Sequence, residues 1–470
     1  MPPKIVGKSS GWVGPVNEYA RNVGTVGRRK VVFIGASYKF VHRVVRDLIL
    51  VGGFEDVELC IHDIDAEPLR IVGDLVERIA RQQETRIRVT RTLDRREALR
   101  GADVALLSIT TGGKEADCRS FEVCAKYGIP VGVGDTLGPP ALARNLREVP
   151  VVLQIIRDME ELCPHGLMLN FTNPMSVITG AMARHSSLPV WGLCHSGDGL
   201  CQYFADLFGV KKSALALTLA GVNHQSFVLK LLIDGADRTA DLLPQSLKRQ
   251  GGAIADALTG AHDEVRLQQD LCRVLGCWPS RGADHLAEFY RYFYTPRRIE
   301  QLGLHRHLKR VVPGRQPFGR TPCPQILLDW AYGPEAVGDL HLLTEEHAHE
   351  LMWSFFMDQP FTRSLNVLNT EGWVAGLPRD ACVELMATVQ GRKVTATPVT
   401  LPPALHATVL NWVTIHDLSL RAARNCDRQA ACQALFLDPH VRDFYDIEPF
   451  LEDLLAATKP WLPAGWFAGN

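Results

Sequence analysis

The run Lys30-Val31-Val32-Phe33-Ile34-Gly35 decides the fold. It is short, β-branched and apolar and stops at a glycine, as a strand buried on both faces of a parallel sheet does. Downstream, Phe40, Val41, Val44, Val45, Leu48 and Ile49 recur at helical spacing, with Arg43 and Arg46 on the other face. Val57 to Asp63 reads as a second strand ending in an acid, Pro68 to Gln82 as a helix, and Val104 to Ser108 as a strand. A helix from Val151 to Leu162 leads to the strand Leu167 to Phe171, a helix from Met175 and a short strand, Pro189 to Gly192. Such alternation of strand and helix means βαβ units, and hence a doubly wound parallel sheet of the Rossmann-like α/β class. Ligands of such sheets bind at the carboxyl ends of the strands, where Asp63, Thr110, Gly112, Gly113, Asn173 and Cys194 fall.

Beyond Leu193 the alternation breaks down into long helices mixed with strands such as Leu215 to Leu219 and Cys382 to Val389. A chain of 470 residues exceeds one ordinary compact domain. Three parts are expected: a flexible extension over 1–29, a dinucleotide-binding domain over 30–192, and a second α+β domain over 193–470 packed over the sheet's carboxyl edge and carrying oligomer contacts. A net charge of −1 creates no global field for nucleic acid or an anionic membrane. The twelve cysteines form no C-x-x-C pair and read as reduced thiols. No signal peptide and no apolar run of about 20 residues is present, so a cytoplasmic location is expected.

The first βα turn, Gly35-Ala36-Ser37-Tyr38-Lys39-Phe40, keeps only the first glycine of G-x-G-x-x-G; Ser37 and Phe40 take the other two places. A plain sheet connection has the same appearance. Asp63, 28 residues after Gly35, stands where an acid binds ribose hydroxyls, and it also reads as a loop acid beside Asp65. Gly112-Gly113 offers a further close backbone approach. Cys194-His195 and Asn223-His224 end other apolar runs, and a thiolate with an imidazole suits a borderline divalent cation, although such pairs more often lie in a core. The residues alone therefore point to a nicotinamide oxidoreductase with a metal as an open question.

At these residues the chain resembles glycoside hydrolase family 4. The resemblance rests on Thr111-Gly112-Gly113, Asn170-Phe171-Thr172-Asn173-Pro174, Gly192-Leu193-Cys194-His195 and Ala220-Gly221-Val222-Asn223-His224, in order and at matching spacing, with Leu377-Pro378 and Asp380 to Glu384 downstream. It implies a lactate/malate dehydrogenase-like fold and an NAD- and Mn2+-dependent glycosidase working as a homodimer or homotetramer. Cys194 and His224 would be the metal ligands and Asn173 a sugar contact. Gly282 to Glu288 looks like the branch acting on unphosphorylated α-galactosides and α-hexuronides. Three departures from the family pattern are Ser37 for a glycine, Asp135 for a common glutamate, and His347 for a frequent tyrosine.

The implied chemistry oxidises the sugar at C3, removes the C2 proton, eliminates the aglycone and adds water, which sets it apart from glycosidases with paired carboxylates. Cofactor contacts are expected at Gly35, Ser37, Phe40, Asp63, Gly112 and Gly113. His195, Asp284 and His285 are the candidate acids and bases, with metal support or a solvated helix face as their plainer readings. Arg144 is a candidate contact for a substrate carboxylate. Two other readings use the same turn: an NAD-dependent 2-hydroxy-acid dehydrogenase, which accumulates NADH and needs no metal, and a non-catalytic nucleotide-binding protein.

Overall fold

The computed structural model describes residues 26–468 except 55, 195, 249–263, 281–282, 305–307, 309–321 and 345. Residues 1–25 of the expected extension therefore lie outside the described residues. Val26, at its far end, is 2% exposed. Six strands form the parallel half: β1 (Arg29–Ile34), β2 (Val57–His62), β3 (Arg88–Thr92), β4 (Val104–Leu107), β5 (Leu167–Asn170) and β6 (Val190–Leu193). Their spatial order is β3-β2-β1-β4-β5-β6, and every neighbouring pair is parallel. The order reverses between β1 and β4, which opens a crevice at their carboxyl ends. Successive residues of β1 enter different cores: Val31 and Phe33 lie in one apolar cluster, Val32 and Ile34 in another. Helices thus cover both faces, and full burial of each such side chain is worth about 1.5–3 kcal/mol.

The later strands are β7 (Leu215–Val222), β8 (Gln225–Ile233), β9 (Ala236–Asp237), β10 (Trp278–Pro279), β11 (Phe361–Leu368), β12 (Cys382–Gln390) and β13 (Lys393–Ala396). Among the described residues they make no separate sheet. Antiparallel pairing of Leu365 with Leu193 and Asn366 with Gly192 joins β11 to β6, and β12, β7, β8 and β10 follow outward in one 13-stranded sheet.

Three elements depart from the sequence reading. The helix expected from Val151 runs over Gly138–Leu162 and contains Pro150. An interior proline costs about 3 kcal/mol; here the buried flanks Leu146, Arg147, Glu148, Val149 and Val152 hold the helix on both sides of it. The strand β3 and the helix Gly113–Lys126 are additions, both too polar to show an apolar period. Among the described residues, no helix is long and apolar enough to cross a membrane.

Candidate active site

The crevice between β1 and β4 is lined by the turn expected to bind a dinucleotide. Gly35 has φ +101°, and a Cβ there would lie 2.1 Å from the Ser108 carbonyl oxygen, so this position excludes any side chain. Asp63 braces the turn: Oδ2 accepts the Ala36 N–H at 2.7 Å and Oδ1 the Asp65 N–H at 2.9 Å. An ionised carboxylate offers about four acceptor sites, so this bracing leaves capacity for ribose hydroxyls. The Ser37 hydroxyl accepts the Lys39 N–H at 3.3 Å, and the Phe40 ring lies 5.1 Å from that of Phe171. No side chain caps the helix Val41–Val51 or the helix Gly113–Lys126, so N–H groups at both N-termini suit an anion.

The loop after β4 is held from below by the helix Gly138–Leu162. Glu148 is fully buried and accepts both the N–H and the hydroxyl of Thr111 at 2.7 Å. Burial raises its carboxyl above the usual range against the pull of Arg144, Thr111 and Arg147. Arg147 donates to the Thr111 carbonyl at 2.8 Å and pairs with Asp117. These contacts fix Gly112 and Gly113, with φ of +76° and +56°. A Cβ on Gly112 would strike Ala116 at 2.6 Å and Trp461 at 2.7 Å, whereas one on Gly113 would meet nothing within 4 Å.

A second group of side chains centres on Asp135, which is 33% exposed. Asn173, three residues past β5, donates from Nδ2 to Asp135 Oδ2 at 3.2 Å, and the Thr136 hydroxyl donates to Oδ1 at 2.9 Å. Arg144 stands 3.9 Å from the same carboxylate; it also donates to the Thr110 hydroxyl at 3.1 Å and pairs with Asp117 at 3.3 Å. Burial pushes the Asp135 carboxyl up. Arg144, then His285 and the hydrogen bonds from Asn173 and Thr136, outweigh it and hold the group below the usual carboxylate range.

His224 sits in the two-residue turn joining β7 and β8, with φ +65°. Its Nδ1 is 3.3 Å from the Thr136 hydroxyl, and its ring centroid is 4.1 Å from that of His285. Glu288 closes the group: Oε2 lies 3.8 Å from His285 Nδ1, and Oε1 accepts the Gly134 N–H at 2.8 Å. The structure therefore gathers Arg144, Asn173, His224 and His285 around Asp135 and Thr136. Cys194 is buried directly after β6. His195 and the side chain of Asp284 lie outside what the structure describes.

Among the described residues, no three His, Cys, Asp or Glu side chains converge as a metal cage. Two protein donors, a thiol and an imidazole, are still compatible with a borderline ion that takes its remaining ligands from a sugar. The Thr136 hydroxyl at His224 Nδ1 is the kind of partner that orients ligating histidines. Thr136 and Glu148 were not singled out in sequence, and Asp135 was noted only as a departure; the Gly134 to Pro140 run ahead of a helix was the available signal.

Residues 30–210 match the model of the family 4 glycosyl hydrolases, and residues 219–441 match that of the family's C-terminal domain. An alpha-galactosidase of Bacillus subtilis is 29% identical over 450 residues, covering 93% of this chain and 99% of its own. An alpha-galactosidase of Rhizobium meliloti is 25% identical, covering 92% and 89%. The fold is shared with a 6-phospho-alpha-glucosidase from gut microorganisms solved with NAD and Mn2+, at a TM-score of 0.76 and 18% identity, covering 93% of this chain and 99% of that one.

Proposed function

The chain belongs to the family 4 glycosyl hydrolases, and from that footing we propose that it hydrolyses an unphosphorylated α-hexoside or α-hexuronide (galactoside, galacturonide or glucuronide) with bound NAD and Mn2+. The observation that carries this reading is the pairing of Arg144 with Asp117 and Asp135 inside the cluster that holds Asn173, His224 and His285. A phosphate dianion calls for uncompensated cations. Arg144 shares Asp117 with Arg147 and also faces Asp135, and Glu288 adds a third acid nearby. Such surroundings favour neutral sugar hydroxyls, so an α-galactoside is preferred over a hexuronide, in keeping with the two α-galactosidase relatives.

In this reading the Gly35 to Phe40 turn, Asp63, Gly112 and Gly113 hold the dinucleotide, and Cys194 and His224 hold the metal. When bound, NAD would supply a reversible hydride acceptor and Mn2+ a Lewis acid. Asn173 and Asp135 orient the sugar through its hydroxyls, one as a donor and the other as an acceptor. A ketone at C3 makes the C2 hydrogen acidic, and a side-chain base removes it. His285, with His195 and Asp284, provides acid–base capacity at that point. The aglycone would then leave from C1 with its bonding electrons and a proton from the acid, water would add its hydroxyl to C1 and a hydrogen to C2, and the hydride chemistry at C3 would be NAD's to supply in both directions.

Hydrolysis in D2O tests this sequence. The released sugar should carry deuterium at C2 with no net NADH. Only protium at C2 by NMR would rule out the elimination route, and NADH rising with product would indicate a dehydrogenase.

A further inference from the structure

Glu384 of β12 is fully buried, a depth at which a sheet ordinarily holds an apolar residue. It pairs across the strands with Gly221 of β7 and Asn366 of β11; Asn366 pairs with Gly192 of β6, and Gly192 with Asn170 of β5. Cross-strand partners point to the same face. A single row across five strands therefore reads Asn170, Gly192, Asn366, Glu384, Gly221. Gly192 makes room for it, since a Cβ there would lie 2.5 Å from Thr179 Oγ1 and 2.9 Å from Asn366 Cβ, while a Cβ on Gly221 would lie 2.2 Å from the Gln225 carbonyl oxygen of the neighbouring strand.

Two polar members of the row, Asn170 and Glu384, each hold a loop of the proposed site. Asn170 accepts the Thr172 N–H at 2.8 Å and donates to the Thr172 carbonyl at 3.1 Å, fixing the backbone next to Asn173. Glu384 accepts from three donors at the β7–β8 turn: Asn223 Nδ2 at 3.3 Å and the His224 N–H at 3.3 Å within it, and the Ser226 hydroxyl at 2.7 Å just after it in β8. An acceptor-only group is what those three donors require. The turn itself carries His224 at positive φ, where its backbone has little intrinsic preference to stay.

We infer that Glu384 is a positioning residue that sets the orientation of His224 toward the metal, an inference that rests on reading His224 as a metal donor. Glu384 acts on His224 through its backbone N–H, and removing a group that orients a metal ligand typically weakens metal binding about 10–100-fold. The test is Mn2+ titration calorimetry on chelator-stripped protein, with NAD titration and thermal melting alongside.

His224→Ala should abolish Mn2+ binding. Glu384→Gln, equal in size but one acceptor short, should raise the Mn2+ Kd about 10–100-fold and leave the NAD Kd within about twofold. If Glu384→Gln does not fold, Ser226→Ala, which removes the nearest donor to Glu384 together with its contact to the Ser280 hydroxyl, should raise the Mn2+ Kd severalfold. An Mn2+ Kd within about twofold of the parent in the folded variant, with His224→Ala defective, overturns the role of Glu384 alone. Parent protein that binds no Mn2+, or His224→Ala that binds it as the parent does, overturns the metal reading and this inference with it.

Discussion

Replacing Gly35 by alanine separates the structural need for that glycine from its part in cofactor binding. The added methyl would sit 2.1 Å from the Ser108 carbonyl oxygen and 2.9 Å from its carbon, at a φ of +101°. Backbone strain at such a φ costs about 1–3 kcal/mol, and forcing β1 and β4 apart costs about as much again, as overpacking does. The sum is about 2–6 kcal/mol. An unfolding entropy of about 2.1 cal/mol/K per residue comes to about 1 kcal/mol/K over 470 residues, so the melting temperature should fall by about 2–6 °C. Gly113→Ala is the internal control. Its methyl meets nothing within 4 Å, so only the strain of φ +56° remains, about 1–3 °C. NAD affinity should fall in both, in Gly35→Ala because the turn shifts and in Gly113→Ala because the methyl enters the space proposed for the cofactor. Melting scans with NAD titrations decide the matter. An unshifted melting temperature in Gly35→Ala refutes the close-approach argument, and parental NAD affinity in Gly113→Ala removes that residue from the cofactor site.

Cys194→Ser should abolish hydrolysis while leaving the melting temperature near that of the parent, since a hydroxyl is a far poorer ligand than a thiolate. The parent should lose activity in chelator and regain it with Mn2+; full activity after chelation would count against both Cys194 and His224. Stability should fall as pH drops from 6.5 toward 4. Burial, aided by Arg43 and Arg46, lowers His42 to about 4, and burial does the same to His349. Below pH 6.5 the unfolded chain takes protons that these folded imidazoles refuse, a loss of up to about 3 kcal/mol each. Asp47, raised by burial to about 6, acts in the opposite sense below that pH and offsets part of the loss. A melting temperature that holds or rises between pH 6.5 and 5 would contradict this balance.

The parallel half was legible because strands buried on both faces must be apolar runs with a turn residue at the end, a rule that β1, β4, β5 and β6 keep and that β2 breaks only at Glu58 and His62. The edge strand β3 has only one neighbour, and its Arg88, Thr90 and Arg91 erase the pattern. The junction of β11 with β6 left no local trace, because antiparallel pairing between distant segments is written in neither segment. The site divides the same way. Cys194, His224 and Asn173 announce themselves by ending apolar runs. Thr136 meets His224 across 88 residues of chain, and Glu384 meets it across 160, so neither role shows in any window of sequence. Asp63 was expected to face ribose; the brace it provides to Ala36 and Asp65 depends on a turn geometry that composition does not encode.

The β6–β11 junction bears on how the chain is made. By Leu193 every strand of the parallel half has been synthesised, yet β6 carries Val190, Trp191 and Leu193 and has one side unpaired until Phe361–Leu368 arrives. Loop closure over so long a gap adds little to the equilibrium cost, about 0.6 kcal/mol per doubling of length. It weighs on the kinetics, because non-local pairing forms late. Throughout that interval the open N–H and C=O groups of β6 are a template for pairing with another nascent chain. A product truncated between these two strands would keep that edge open permanently and collect in the aggregated fraction, so full-length synthesis itself is what protects the sheet.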